Sequence, residues 1–247
     1  MELQTAQLVH LAGWMAQDEG NQDAAQQYYA HSFRLASEAG DAELAATALR
    51  GLTVQAIDLG FRPTAVRIAE ECVDQAKNIN DPRALAYYQA TLANAAALDG
   101  DRRTATAALR ASQTAIERAT SAPGESWASH YSIGRWAHES GMILAQLGHH
   151  TSAQDHLHHA LEIHGLDRRR TRAIVLADLG TVRLRQDDID GALTSWNDFL
   201  DCADGIRSIK VQDAVHDLRA RLYRLRDVPG VEELDERASA LESTTRP

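Results

Sequence analysis

The amino-acid sequence predicts an all-α protein, a right-handed superhelical solenoid of antiparallel helix pairs that ends in a capping helix pair. The first observation is a turn residue that recurs at spacings of 40, 40, 48 and 39 residues, a range typical of stacked helical repeats. The second is an alanine five residues after each turn. The pairs are Gly20 and Ala25, Gly60 and Ala65, Gly100 and Ala105, Gly148 and Ala153, and Asp187 and Ala192.

Each repeat contains two helices joined by the turn residue. Glycine suits the left-handed conformation in which helices commonly end, and Asp187 tolerates it better than most residues would. A second helix follows the turn, as in residues 64–77 and 104–119. The first helix of the second repeat carries apolar residues every three or four positions, at Leu44, Ala48, Leu49, Leu52, Ala56 and Leu59.

Small residues at fixed positions predict close packing of the two helices in a repeat. One small residue lies seven positions before each turn residue, and the alanine lies five positions after it. Bulky residues one helical turn beyond the alanine fill the remaining space. The small residues are Gly13, Thr53, Ala93, Gly141 and Gly180, and the bulky ones are Tyr29, Leu109, Leu157 and Trp196.

The pattern predicts one domain over residues 1–247, with five repeats and a carboxy-terminal cap. A polar outer face on the last unit protects the end of a solenoid. No comparable cap precedes the first repeat, so we expect another segment or a second subunit to cover that end. The predicted repeats are residues 3–40, 41–80, 82–121, 125–166 and 168–204, and the capping helices are residues 208–242.

Composition narrows the classes of partner. The net charge of −10 and the pI near 5.5 argue against direct nucleic-acid binding, which needs a basic surface. No apolar stretch approaches the ~20 residues that span a bilayer. The amino terminus lacks the features of a secretion signal. Cys72 and Cys202 lie among apolar helix positions and are expected to be reduced thiols. We therefore expect a cytoplasmic protein, and the alanine- and arginine-rich composition indicates a bacterial source.

The spacing of small residue, turn, alanine and large apolar residue resembles the tetratricopeptide repeat, for example in LADLGTVRLRQDDIDGALTSWNDFL, residues 176–200. The resemblance covers about residues 6–204 and implies the superhelical fold, although these units are longer than the usual ~34 residues. Other segments, such as SWASHYSIGRWAHESGMILAQLG, resemble the carboxy-terminal repeat region of actinobacterial Xre-type helix-turn-helix regulators. A helix-turn-helix segment is not recognised in this sequence, so the resemblance does not predict DNA binding.

In the first helix of each repeat, the residues beside the core-facing positions are expected to line a groove. In the fourth repeat, helical spacing places aromatic and polar side chains on one face. The same register selects residues of the earlier repeats. The predicted groove residues are His10, Trp14, Arg50, Tyr87, Asn94, Trp127, Tyr131, Arg135, His138 and Met142.

These residue types suit recognition of a peptide or a small molecule. Asn94 can pair with an extended backbone, and Arg50 and Arg135 can hold a carboxylate through forked hydrogen bonds. Trp14, Trp127 and Tyr131 would supply apolar walls. The alternative is that the aromatic residues belong to the solenoid core.

Two clusters of basic residues each allow two interpretations. Arg168, Arg169, Arg170 and Arg172 form either a solvated loop between repeats or a contact for an acidic partner or phosphate. Six histidines lie between residues 149 and 164. They allow a metal site, because His156 and His159 have i,i+3 spacing, or packing that is sensitive to pH. We expect no metal and no cofactor.

Sequence motifs of phosphate-binding loops, zinc proteases and serine hydrolases were not found. We therefore expect a non-catalytic recognition or regulatory module that binds a peptide, protein segment or small signal in its concave groove. The alternatives are the sensor portion of a transcriptional regulator, and an accessory protein or unusual enzyme of a biosynthetic pathway. A homodimer through the first repeat is a further expectation.

Overall fold

The computed structural model describes residues 2–119, 122–164 and 168–245. The chain divides into two compact units, Met1–Ser132 and Ile133–Pro247. Within the described ranges the secondary structure is helical, and consecutive helices pair as hairpins. The predicted all-α fold of helix pairs is confirmed. The prediction of a single domain stays a prediction, and the repeat ends expected at residues 121 and 166 lie outside the described residues.

Among its described residues, unit 1 consists of three helix hairpins and an irregular stretch at 122–132 that contains the short 3-10 turn Ala128–His130. Its helices are α1 (Glu2–Asp18), α2 (Gln22–Glu38), α3 (Ala42–Asp58), α4 (Arg62–Ala76), α5 (Pro82–Asp99) and α6 (Arg102–Glu117).

Among its described residues, unit 2 consists of two hairpins and the carboxy-terminal helix pair. The second of these hairpins and the helix pair share a core around Trp196, Phe199 and Leu218. Its helices are α7 (Ile133–Gln146), α8 (His150–Ile163), α9 (Arg169–Leu184), α10 (Ile189–Ala203), α11 (Ile209–Leu222) and α12 (Val231–Thr245). No helix of the described residues is long and apolar enough to cross a bilayer.

The recurring turn residues adopt the backbone conformation that the pattern requires. Gly100 ends α5 with φ 88° and ψ 3°, in the left-handed region. Asp187 has φ 59° and is the one non-glycine residue with positive φ among the described residues. An aspartate or asparagine side chain then caps several of the following helices, as Asp101 does by accepting from the Thr104 N–H at 3.0 Å.

The predicted small and large residues pack against each other. A Cβ atom added at Gly180 would lie 2.3 Å from Nε1 of Trp196, and one added at Gly13 would lie 2.8 Å from the ring of Tyr29. The five alanines that follow the turns are fully buried. Helix pairs can therefore approach closely only because these side chains are small.

A hydrogen bond that recurs with the repeat links the helices of unit 1. Ser32, Cys72 and Ser112 each lie on the second helix of a hairpin and donate to a first-helix carbonyl 26 residues earlier. The acceptors are Ala6, Ala46 and Ala86, at 2.9, 3.1 and 2.7 Å. Donors and acceptors both recur every 40 residues, so the thiol of Cys72 takes the structural place of a hydroxyl.

In the 48-residue step, the expectation that the groove residues between 127 and 142 share one helix face is wrong. Helix α7 begins only at Ile133, so Trp127 and Tyr131 precede it. Pro123 disfavours helical continuation. The Ser129 N–H donates to Oγ of Ser126 at 3.1 Å, and the Ser129 hydroxyl donates to the Ser126 carbonyl at 2.6 Å, which closes a local turn instead of a helix.

Candidate functional site

Residues 125–131, which we call the crossing segment, lie against the first helices of all three hairpins in unit 1. The Ser126 hydroxyl donates to the carboxylate of Glu43 on α3. The ring of Trp127 lies 5.4 Å from that of His10 on α1, in a T-shaped arrangement. The ring of Tyr131 lies 4.8 Å from that of Tyr87 on α5. The additional residues of the long step therefore cover part of the face that the sequence predicted as a groove.

Tyr131 anchors the end of the crossing segment. Its side chain is 1% exposed. Its carbonyl oxygen accepts from the Arg83 guanidinium at 3.3 Å. The guanidinium of Arg50 lies 4.0 Å from the centre of the Tyr87 ring, a cation–π contact. Arg50, Tyr87 and Tyr131, all predicted for the groove, thus form one packed cluster.

His10 is the most buried of the predicted polar groove residues, with 7% exposure. It lies between two aromatic rings, those of Trp127 and of Tyr29, the latter at 5.2 Å. Burial, assisted by the charge of Arg50, lowers the pKa of His10 from 6.5 to about 4. Its Nδ1 atom has no hydrogen-bond partner among the described residues. At neutral pH His10 is therefore an uncharged polar group.

A cavity of about 510 Å³ opens between α1, the start of α3 and the crossing segment. Its wall combines leucine and tryptophan side chains with amide, hydroxyl and carboxylate groups. The lining residues are Gln4, Gln7, Leu8, His10, Leu11, Asp41, Glu43, Leu44, Thr47, Glu125, Ser126 and Trp127. We refer to it as the unit-1 cavity.

The backbone that carries Glu43 is fixed by a second hydrogen-bond network. The Tyr88 hydroxyl donates to the Glu43 carbonyl at 3.0 Å and lies 2.8 Å from Oγ1 of Thr47. Burial raises the pKa of the Glu43 carboxyl, the nearby Asp81 and Asp41 charges add to this, and the Ser126 hydroxyl opposes it. The pKa of this carboxyl is therefore above its ordinary value.

Of the residues predicted for the groove, His10 and Trp127 line this cavity. Glu43, Asp41 and Ser126 also line it and were not predicted. Asp41 had a detectable signal, because it begins a helix as an N-cap residue and accepts from the Leu44 N–H at 2.9 Å. Ser126 and Glu43 are 83 residues apart, and only folding brings them together. Trp14 is 55% exposed on α1 and Asn94 is half-buried on α5, and neither lines the cavity.

The remaining predicted groove residues lie in unit 2. Arg135 is exposed and forms an ion pair with Glu139 at 3.0 Å. Nε2 of His138 lies 2.7 Å from Oδ2 of Asp178 on α9. Met142 is half-buried on α7. The shared role of these residues in a groove stays a prediction.

Two of the four arginines between the fourth and fifth repeats donate hydrogen bonds to carbonyls at helix ends. Arg169 donates to the carbonyls of Cys202 and Asp204, at 3.2 and 2.8 Å. Arg172 donates to the carbonyls of Leu161 and His164, both at 2.7 Å. These contacts favour a structural role over an open anion site.

The histidine-rich helix α8 has structural contacts as well. The ring of His156 lies 5.3 Å from that of Trp136, and burial lowers its pKa. Among the described residues no group of three or more histidine, cysteine or acidic side chains is placed to hold a metal ion.

Several solved structures resemble this chain. BtubC from P. vanneervenii is 17% identical with a TM-score of 0.63, over 92% of this chain and 91% of that protein. TTC0263, a thermophilic tetratricopeptide-repeat protein of Thermus thermophilus, is 16% identical with a TM-score of 0.56, over 96% and 98%. The quorum sensor NprR from B. thuringiensis is 11% identical with a TM-score of 0.56, over 98% and 77%.

No protein-family model and no curated protein sequence matches the chain. The structural likenesses show the fold, and they confirm the predicted tetratricopeptide-repeat architecture.

Proposed function

We propose that this chain, with its tetratricopeptide-repeat fold, is a non-catalytic recognition module that binds a peptide or protein segment in the unit-1 cavity. The observation that carries the proposal is the cavity itself. Its volume of about 510 Å³ lies within the ~300–1,000 Å³ of ligand sites, and polar groups converge on an apolar wall. The Cys72 and Cys202 thiols are free, which supports a cytoplasmic location.

A regulatory role for this recognition has one supporting observation. The quorum sensor NprR matches 98% of this chain in fold. At 11% identity this likeness carries no residue role, so the sensor function is a second candidate that depends on finding a ligand. The catalytic alternative rests on His138, whose ring is paired with Asp178.

A peptide-display selection on the full chain tests the proposal. Leu8 lines the cavity and is 67% exposed. Leu8→Trp therefore places a larger side chain at the cavity, where it occupies space, with little effect on the core. Leu59→Trp is the matched control, because Leu59 is exposed and is not a lining residue. We expect selected peptides to bind the wild type and Leu59→Trp equally, and Leu8→Trp at least about tenfold more weakly.

Two outcomes would contradict the proposal. One is a selection that yields no specific peptide, and the other is a set of peptides that bind Leu8→Trp as tightly as the wild type. Loss of a measurable turnover on His138→Ala, with peptide binding unchanged, would favour the enzymatic alternative.

A further inference from the structure

The charged side chains that line the unit-1 cavity all have one sign. Asp41, Glu43 and Glu125 contribute carboxylates, and none of the described lining residues is lysine or arginine. We propose that the cavity binds a peptide that presents a lysine or arginine side chain beside an aliphatic side chain, an inference that rests on the proposed function. A carboxylate ligand, which the sequence suggested, would meet repulsion at this wall.

Two of the three carboxylates are held in place by hydrogen bonds and retain acceptor capacity. Asp41 accepts from the Leu44 N–H at 2.9 Å, and Glu43 accepts from the Ser126 hydroxyl. A carboxylate has about four lone-pair positions, so each of these side chains can also accept from a ligand cation. Hydrogen bonds between such ions are stronger than those between neutral groups.

His10 gives a second, independent indication that the cavity is built for a polar ligand. It is more than nine-tenths buried, lines the cavity, and has an Nδ1 atom without a hydrogen-bond partner among the described residues. A buried polar atom without a partner costs free energy unless a ligand supplies one. Because the ring is neutral at pH 7, it does not oppose a cationic ligand.

The wall formed by α1 favours a peptide over a small amine. Leu8 and Leu11 line the cavity, and Met15, 50% exposed, continues the same helix face beyond it. Gln4 and Gln7 lie at the cavity on this helix and offer amide donors and acceptors to a peptide backbone. An occupant longer than the cavity can therefore bury apolar surface along α1 while its cation meets the carboxylates.

The test uses the tightest peptide recovered from the display selection, synthesised in three forms. The first keeps its lysine or arginine, the second has norleucine there, and the third has glutamate. We expect norleucine to weaken binding to the wild type about tenfold, glutamate to weaken it further, and added salt to weaken the cationic form most.

Variants in which glutamate is replaced by glutamine test whether the cavity carboxylates cause the preference for a cationic peptide. Glu43→Gln combined with Glu125→Gln should weaken the cationic peptide about tenfold and leave the norleucine form unchanged. Glu38→Gln combined with Glu70→Gln is the matched control. These residues are exposed on α2 and α4 and do not line the cavity, so we expect wild-type affinity.

Four results would overturn the inference. In the first, the selected peptides do not require a lysine or arginine, and in the second, the Glu43 and Glu125 double variant binds the cationic peptide with unchanged affinity. In the third, cadaverine binds as tightly as the peptide. In the fourth, the protein forms a concentration-dependent dimer that excludes the peptide. If peptides bind through the cavity but ignore its charge, only this inference fails. A selection without cavity-dependent peptides ends the proposed function as well.

Discussion

Tyr131 packs on Tyr87 with ring centroids 4.8 Å apart, and this contact attaches the end of the crossing segment to the third hairpin. The two residues are 44 positions apart. Tyr87 in turn lies under the guanidinium of Arg50, so the cluster joins α3, α5 and the crossing segment. The packing of unit 1 therefore includes a contact between a helix and an irregular segment.

Tyr131→Ala should lower the free energy of unfolding by about 3 kcal/mol, because it removes a buried aromatic ring. Tyr131→Phe keeps the ring and should cost about 1 kcal/mol or less. Urea unfolding followed by circular dichroism measures both changes. Tyr28→Ala is the control, since Tyr28 is exposed. Equal stability of Tyr131→Ala and Tyr131→Phe would show that the ring does not anchor the segment.

Buried His10 should make the protein sensitive to acid. Its pKa is about 4 in the folded chain and 6.5 in the unfolded one. Stability from the neutral ring is therefore complete above pH 6.5 and is lost as pH falls towards 4, by about 3 kcal/mol. Phenylalanine does not titrate. Between pH 7 and 4, the free energy of unfolding of His10→Phe should therefore fall by about 3 kcal/mol less than that of the wild type. Exposed His31→Phe is the control, and its pH profile should match the wild type; a His10→Phe profile parallel to the wild type would contradict the prediction.

Gly180→Ala should destabilise unit 2 by about 2 kcal/mol, because the new methyl group would overlap the indole of Trp196. At Gly124, by contrast, the nearest atom to an added Cβ is 3.5 Å away, so Gly124→Ala should have little effect. Thermal unfolding of the two variants gives the comparison. A Gly180→Ala protein as stable as Gly124→Ala would refute the close packing.

The two thiols should differ in reactivity. Burial raises the pKa of Cys72 to about 12, whereas Cys202 is partly exposed. Because the thiolate is the reactive form, a disulfide reagent such as DTNB should modify Cys202 first and Cys72 only after unfolding. The Cys202→Ser variant should then show no rapid reaction in the folded state. Rapid modification of Cys72 in that variant would mean that α4 opens far more readily than its burial implies.

The repeat pattern made the helix pairs predictable because it is local. Gly180 and Trp196 are 16 residues apart, and the small residue and the bulky residue each recur at fixed distances from the turn. The left-handed turn at Asp187 was predictable for the same reason, since only the backbone of a few neighbouring residues decides it. The function stays a proposal, because a shared fold does not specify a site.

Outside the long step, the helix pairs, their turns and the small residues that let them pack could be predicted from the sequence, because these depend on helical periodicity and on side-chain size at short range. The sequence also indicated the irregular 48-residue step. The contacts that the residues of this step make became visible only in the folded chain. Contacts such as Ser126 with Glu43 and Tyr131 with Tyr87 join residues 83 and 44 positions apart, and no local rule of backbone geometry specifies them. The same folding set the charge of the cavity, because it gathers carboxylates from α3 and the crossing segment onto the apolar face of α1.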